Sequence, residues 1–143
     1  MHFDLIEITN AVDDTYWCLN IVDSSSGFQV VVRLPRKTSA AVLDAFETSW
    51  ASWAGHPVRA VVDMGPEFVS DEFCDHLEAN AVKIYHTPVE APWQNGVCER
   101  GGQAFKIVFA AIKAEHSPVT DSEMQQAISV ATQARNEEIN ETG

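Results

Sequence analysis

The chain has 143 residues, of which 45% are hydrophobic and 21% are charged. This composition is typical of a folded globular domain and excludes a chain that is disordered throughout. Nine basic residues stand against 21 acidic ones, so the formal net charge at pH 7 is −12. Proteins that bind nucleic acid by neutralising phosphates normally carry a basic surface, and any such function here must therefore rest on particular residues.

The first third of the sequence predicts three antiparallel strands. Residues 2–9, 15–22 and 28–34 are rich in β-forming side chains, and the polar turns 10–14 and 23–27 separate them. Because both turns are short, we expect consecutive strands to pair as an antiparallel meander.

Beyond residue 37 the apolar pattern becomes helical. Thr38 or Ser39 can cap a helix ending near Gly55, whose inward positions are Ala41, Val42, Ala45, Trp50 and Trp53. The run 57–63 predicts a strand buried on both faces. A helix capped by Ser70, a short strand over 83–86 and helices over 96–115 and 121–140 follow. The order βββαβαβαα predicts an α/β domain with a mixed, five-stranded sheet flanked by helices.

Three acidic residues occupy positions where a solvated acid is unusual. Asp4 lies within a strand on the same face as Ile6 and Ile8, Asp63 ends a buried run, and Glu99 lies early in the long helix. A buried carboxylate is costly unless it is paired or bound to a metal, and clustered carboxylates suit Mg²⁺. Taken singly, each acid has an ordinary alternative role, as a solvated edge residue, a turn residue or a helix-terminal charge.

Taken together, the sequences around these acids resemble the catalytic core of retroviral and retrotransposon integrases, within the ribonuclease H-like superfamily. That family carries two aspartates and a glutamate with 35 residues between the last two, and 35 residues separate Asp63 from Glu99 here. The matching segments are Phe3-Asp4-Leu5, Asp63-Met64-Gly65-Pro66-Glu67-Phe68 and Asn95-Gly96-Val97-Cys98-Glu99-Arg100. The hairpin 22–28 also resembles the hairpin between the second and third strands of the family.

Asp23 is the alternative to Asp4 as the first acid. It begins a Ser-Ser-Ser-Gly turn, where aspartate is expected for local hydrogen bonding. Asp4 lies within a strand and matches the position of the family's first aspartate, so we favour Asp4.

The long helix has two distinct faces. At 100° per residue, Glu99, Gln103 and Lys106 share one face, and the apolar residues opposite face the core. Gly101 lies on the apolar face, where the lack of a side chain permits close packing on the sheet. Lys113 is interpreted as a solvated lysine.

The resemblance implies a polynucleotidyl transferase with two Mg²⁺ ions per active site, for which Mn²⁺ can substitute. Asp4, Asp63 and Glu99 would be both the metal ligands and the catalytic residues. The implied reactions are processing of the 3′ end of the element's DNA and strand transfer of that end into target DNA.

The resemblance also implies partners. Lys106 would contact the DNA near its reactive end, with Gln103 and Asn95 as further DNA contacts. Residues 1–143 would form one catalytic-core domain, excised from a longer polyprotein with other integrase domains, and would act as a homo-oligomer. Three cysteines without paired spacing indicate an intracellular protein, which for this family means the nucleus or a virus-like particle. The longest apolar run, 107–112, is too short to span a membrane, so we expect no membrane partner.

Two other functions remain open. A decayed or domesticated core could act without catalysis as an assembly or protein-binding module, which the net charge favours and the retained acids oppose. A ribonuclease H-type nuclease shares the fold and the metal chemistry but usually adds a fourth acidic ligand. The segment 95–100 favours an integrase over that nuclease.

Overall fold

A computed structural model describes residues 1–88 and 96–142 of the chain. Its strands are β1 (His2–Thr9), β2 (Thr15–Val22), β3 (Gln29–Leu34), β4 (Arg59–Val62) and β5 (Lys83–His86). They form one sheet in the order β3-β2-β1-β4-β5. β1, β2 and β3 pair antiparallel, whereas β4 and β5 run parallel to β1. The predicted α/β class and mixed, five-stranded sheet are confirmed.

The helices lie on both faces of this sheet. In chain order they are α1 (Ser39–Phe46), α2 (Ser52–Ala54), α3 (Pro66–Val69), α4 (Asp71–Ala79), α5 (Gly96–His116) and α6 (Asp121–Thr142). A π-helical turn, Glu47–Ala51, joins α1 to α2. Thr38 and Ser70 cap α1 and α4 by accepting hydrogen bonds from backbone N–H groups. The short helix α3 is absent from the predicted order. Within the described residues, no helix is long and apolar enough to cross a membrane.

Strand alternation divides the core into two clusters. Phe3, Leu19 and Ile21 face α1 and α4, and Ile6, Ile8 and Cys18 on the same strands face α5 and α6. Because successive side chains of a strand point to opposite faces, Asp4 shares the α5 face with Ile6 and Ile8.

Two predictions about burial are wrong. The segment at β4 is not covered on both faces: Ala60 and Val62 are buried on the α1 side, but on the α5 side Arg59 is exposed and Val61 is only partly buried. The reason is that α5 packs on β1 and β2, which leaves the α5 side of β4 partly open.

The helix after Thr38 also departs from its predicted inward face. Trp50 is buried, but Trp53 is 61% exposed, although its ring still contacts the rings of Trp50 and Phe28. The π-helical turn inserts a residue into the helical repeat and so rotates the following side chains away from the core.

Candidate active site

The register of the parallel strands brings two of the three acids together. His2 of β1 pairs with Val61 of β4, and Asp4 and Asp63 each lie two residues further along. Both side chains therefore project from the same face of the sheet, at the edge where β4 ends.

A tight turn fixes Asp63 directly after β4. Its Oδ1 accepts a hydrogen bond from the Gly65 N–H at 2.7 Å. A Cβ atom on Gly65 would lie 2.9 Å from that oxygen, closer than real Cβ contacts allow. The glycine is therefore what lets the turn close onto the carboxylate.

The third acid reaches this edge on α5, which approaches the sheet at two adjacent glycines. A Cβ atom on Gly101 would lie 2.9 Å from Val22 Cγ2, and one on Gly102 would lie 3.3 Å from Ile6 Cγ2. The predicted role of Gly101 in close packing is confirmed. Glu99, two residues earlier, is exposed.

A buried polar network holds the first turns of α5 against β2 and β3. Asn20 Nδ2 donates to the Cys98 carbonyl oxygen at 3.1 Å, and Gln29 Nε2 donates to Asn20 Oδ1 at 2.7 Å and to the Gly101 carbonyl oxygen at 2.9 Å. Asn20 and Gln29 are fully buried. Neither amide was predicted from the sequence, where the available signal is a polar residue at an α5-facing position of an otherwise apolar strand.

Asp4 and Glu99 line one cleft of about 430 Å³ together with Gln103 and Lys106. Asp63 lies beside Asp4 rather than in the lining of this cleft. Five of the six predicted site residues are thus brought together, four in the cleft and Asp63 beside it. Asn95, the remaining one, lies outside the described residues.

Burial and the neighbouring carboxylates both disfavour the ionised form of Asp4. Burial is the main cause that raises the pKa of Asp4 to about 6, and the carboxylates of Asp63 and Glu99 raise it further. The Leu5 N–H, which donates to Asp4 Oδ1 at 2.8 Å, and the Lys106 ammonium act in the opposite direction without cancelling the shift. A bound divalent cation would relieve the repulsion between the carboxylates.

The carboxylate oxygens of Asp4, Asp63 and Glu99 lie further apart than the ligand atoms of a preformed metal site. In residues 1–88 and 96–142, the one group of three ligand atoms that lie within 4.8 Å of one another is Glu47, His56 and His76. That group was missed from sequence, because its members are far apart in the chain.

Asp23, the alternative first acid, is held by its own turn. Its carboxylate accepts hydrogen bonds from Ser26 Oγ at 2.6 Å and Ser25 Oγ at 3.1 Å. The Ser26 bond is the main cause that lowers the pKa of Asp23. These bonds account for Asp23 as a turn residue, which is consistent with Asp4 as the first acid.

Lys113 differs from its interpretation as a solvated lysine. It is half-buried, and its Nζ donates to Thr9 Oγ1 at 2.7 Å. The side chain lies over the end of β1, where its aliphatic stem can cover apolar surface while the ammonium keeps a polar partner.

No protein-family model and no curated protein matches the sequence. Solved structures do match. A chain of the simian T-cell lymphotropic virus intasome, in complex with PP2A regulatory subunit B56 gamma, aligns with 92% of this chain at a TM-score of 0.81 and 21% identity. This chain spans only 45% of that one.

Two structures of the HTLV-2 integrase catalytic core domain in complex with magnesium, one dimeric and one trimeric, also match. Each aligns with 92% of this chain at a TM-score of 0.75 and 22% identity. The alignments cover 81% and 80% of those chains. The fold is therefore that of a retroviral integrase catalytic core.

Proposed function

We propose that this chain, which has the fold of a retroviral integrase catalytic core, is the catalytic core of a retroelement integrase. Its reactions would be the processing of element 3′ ends and the joining of those ends to target DNA. The observation that carries the proposal is the meeting of Asp4, Asp63 and Glu99, from β1, the end of β4 and α5, at one edge of this sheet.

The donor chemistry of these residues fits Mg²⁺, with Mn²⁺ as a substitute. Three carboxylates with one ammonium nearby form the hard, oxygen-rich set that Mg²⁺ prefers. The carboxylates of Asp63 and Glu99 add to the effect of burial in raising the pKa of Asp4, and a bound cation would relieve that repulsion. Asp4 and Asp63 would hold a first ion, and Asp4 and Glu99 a second. Bound ions would activate the attacking oxygen and stabilise the leaving oxygen of an in-line displacement at phosphorus.

The chain's own residues prepare this site by fixing two ligands more firmly than the third. The Leu5 and Gly65 N–H groups orient Asp4 and Asp63. Glu99 is exposed and depends on the attachment of α5 through the Asn20–Gln29 network. We infer that Glu99 completes the ligand set last, when its exposed carboxylate at the cleft moves towards Asp4.

The same cleft supplies DNA contacts. Lys106 is half-buried beside the acids, where its ammonium can meet a phosphate, and Gln103 is exposed one helical turn from Glu99. We assign to Asn95 a third contact with the DNA. The chain would act as a homo-oligomer, but every copy carries a net charge of −12, so most phosphate neutralisation would come from other domains of a longer polyprotein. The place of action would be the nucleus or a virus-like particle.

The test is a strand-transfer assay with a labelled element-end duplex, a target plasmid, and Mg²⁺ or Mn²⁺. It compares the longer protein that contains this domain with its Glu99→Gln variant. We expect joined product from the wild type and a loss of at least a hundredfold in the variant, since glutamine keeps the shape and removes the ligand charge. A variant within tenfold of the wild type would refute the role of Glu99.

The two competing functions predict different outcomes of the same assay. A non-catalytic assembly module, which the net charge of −12 favours, gives no joined product and no cleavage with either ion. A ribonuclease H-type nuclease gives cleavage of an RNA–DNA hybrid added in parallel, without strand transfer.

A further inference from the structure

Three side chains from separate parts of the fold meet on the opposite side of the sheet from the candidate active site. Glu47 begins the π-helical turn, His56 follows α2, and His76 lies in the last turn of α4. The Nε2 atoms of both histidines lie 2.7 Å from the same oxygen, Glu47 Oε1. The three ligand atoms lie within 4.8 Å of one another.

The elements that carry this group are anchored in the core. α1 packs against α4, and the residues next to the group, Phe46 and Leu77, are fully buried. The His56 ring stands edge-on to the Phe46 ring at a centroid distance of 5.9 Å, which restricts the orientation of the imidazole. Packing of α1 on α4 therefore holds Glu47 and His76, and the ring contact with Phe46 restrains His56, which lies in the segment between α2 and β4.

The π-helical turn is the local feature that presents Glu47. Such turns are rare and are found frequently at functional sites. Ser49 and Thr48 donate to carbonyl oxygens of the preceding turn, which satisfies backbone groups where the regular hydrogen-bond pattern changes. The carboxylate of Glu47 faces His56 and His76 from this turn.

We propose that Glu47, His56 and His76 form a binding site for Zn²⁺, with water as the fourth ligand. Two imidazole nitrogens and one carboxylate are a donor set that zinc sites use when one position stays open. A tetrahedral zinc ion places its donors about 3.3 Å apart, so each 2.7 Å contact must open by about 0.6 Å. The side chains of Glu47, His56 and His76 are 33%, 29% and 37% exposed, which leaves them room to move and gives the ion a path from solvent.

The electrostatic environment favours a cation at this position. Burial acts to raise the pKa of Glu47, but the hydrogen bonds from His76 and His56 outweigh it and lower that pKa. The carboxylate is therefore charged at neutral pH. The net charge of −12 adds a long-range attraction for cations.

This site is independent of the proposed integrase activity. α1 and α4 pack on one face of the sheet, whereas Asp4 and α5 lie on the other. A zinc ion here would tie the segment before β4 to α4 and so stabilise that half of the core.

The experiment measures Zn²⁺ binding to the purified chain, after treatment with EDTA and its removal, by calorimetry and by thermal melting. We expect one ion per chain at this site and a rise in melting temperature of roughly 5–10 °C at a hundredfold excess over Kd. His56→Gln and His76→Gln should each weaken the affinity at least tenfold, and the double variant should abolish it. Co²⁺ as a probe should give visible absorption bands of a four-coordinate ion in the wild type and not in the double variant.

Matched variants separate this site from other sources of binding. His116→Gln removes an exposed histidine on α5 and should leave Zn²⁺ affinity unchanged. Asp63→Asn removes a proposed Mg²⁺ ligand and should also leave it unchanged. Glu47→Gln keeps the size of the side chain, so it tests the site even where a histidine variant unfolds.

Three results would overturn the proposal. The first is an unchanged Zn²⁺ affinity in a folded His56→Gln, His76→Gln double variant or in folded Glu47→Gln. The second is an equal loss in His116→Gln, which would mean nonspecific binding. The third is no Zn²⁺ binding to the wild type, which would leave a proton-bridged network of two histidines and a glutamate.

Discussion

Asp4 on β1 and Asn20 on β2 lie directly opposite each other across the antiparallel pair. One is a carboxylate whose charge is disfavoured by burial, and the other is the amide that bonds the Cys98 carbonyl oxygen next to Glu99. This one pair of opposite residues therefore connects Asp4, the first candidate ligand, to the hydrogen bond that attaches α5, the helix that carries Glu99.

This relationship predicts a specific effect of Asn20→Ala. The substitution removes the bond to the Cys98 carbonyl oxygen and the acceptor of the Gln29 amide, and we expect it to lower the free energy of unfolding by about 1–3 kcal/mol. It should also reduce the stabilisation by Mg²⁺, because Glu99 loses its fixed position. Chemical denaturation with and without Mg²⁺ measures both effects.

Asn10→Ala is the matched control for that variant. Asn10 is also fully buried, and its side chain bonds the Asp14 N–H and the Val119 carbonyl oxygen at the far end of β1. It should lower the stability by a similar amount and leave the Mg²⁺ response intact. Equal losses of the Mg²⁺ response in the two variants would mean that general destabilisation, and not the position of α5, is the cause.

The raised pKa of Asp4 predicts how stability depends on pH without metal. The folded-state pKa of about 6 lies above the ordinary aspartate value of 3.8, so the folded state binds this proton more tightly than the unfolded state does. The protonated Asp4 carboxyl makes its full contribution to the free energy of unfolding below the unfolded-state pKa, and this contribution is lost as pH rises through about 6. Asp4→Asn removes this loss, and we expect it to be more stable than the wild type by about 1–3 kcal/mol at pH 8, with little difference near pH 4.

Asp23→Asn is a control for which the expected change in stability at neutral pH has the opposite sign. The pKa of Asp23 is lowered, chiefly by the Ser26 hydrogen bond, so its contribution to stability is present at neutral pH and lost as pH falls. This variant should be less stable than the wild type at pH 7. Urea denaturation in EDTA from about pH 2 to pH 8 tests both variants, and parallel curves for Asp4→Asn and the wild type would contradict the account of Asp4.

Mg²⁺ should stabilise the wild-type chain more than ionic strength alone does. With a Kd on the order of 1 mM, about 10 mM Mg²⁺ contributes ~1.4 kcal/mol, which is a melting shift of roughly 3–6 °C for a domain of this size. Asp63→Asn should abolish this shift without lowering the metal-free melting temperature, because it also relieves repulsion with Asp4. NaCl at matched ionic strength is the control for screening. If the shift persists in Asp63→Asn beyond that control, these acids do not form the metal site.

Two lysines of α5 should differ in their effect on DNA. Lys106 lies in the cleft near Asp4, whereas Lys113 is bonded to Thr9. Lys106→Ala should weaken binding of an element-end duplex by several-fold while preserving the fold, and Lys113→Ala should chiefly reduce stability. Fluorescence anisotropy at several salt concentrations measures the binding. Equal losses in both variants would mean that Lys106 acts as bulk charge.

The sheet could be predicted from sequence because its strands carry a clear period of two. β1, β2 and β5 have the predicted bounds, since apolar alternation and polar turns locate them without information from the rest of the fold. The same alternation placed Asp4 on the face that α5 covers. The helical wheel of α5 likewise brought Glu99, Gln103 and Lys106 to one cleft.

Features that depend on tertiary packing were not accessible in this way. The π-helical turn has no local signature, and the exposure of Trp53 follows from it. The partial covering of β4 depends on where α5 lies across the sheet. Glu47, His56 and His76 meet only because α1 packs on α4, and no spacing in the chain marks them as a group.

The central position of β1 means that the two parts of the candidate site, β1 and the first turn of α5, should become accessible to solvent by different routes. β1 is hydrogen-bonded to β2 on one side and to β4 on the other, so its amide protons should exchange with solvent only when the whole domain unfolds. The first turn of α5 is held through side-chain bonds and leaves Glu99 exposed, so its amides should exchange through a local opening of lower free energy. In the presence of Mg²⁺, exchange at the start of α5 would slow because the local opening is suppressed, and exchange in β1 would slow only by the factor that corresponds to the gain in global stability. The rate at which this one helix end frays would set the rate at which the site loses its third ligand.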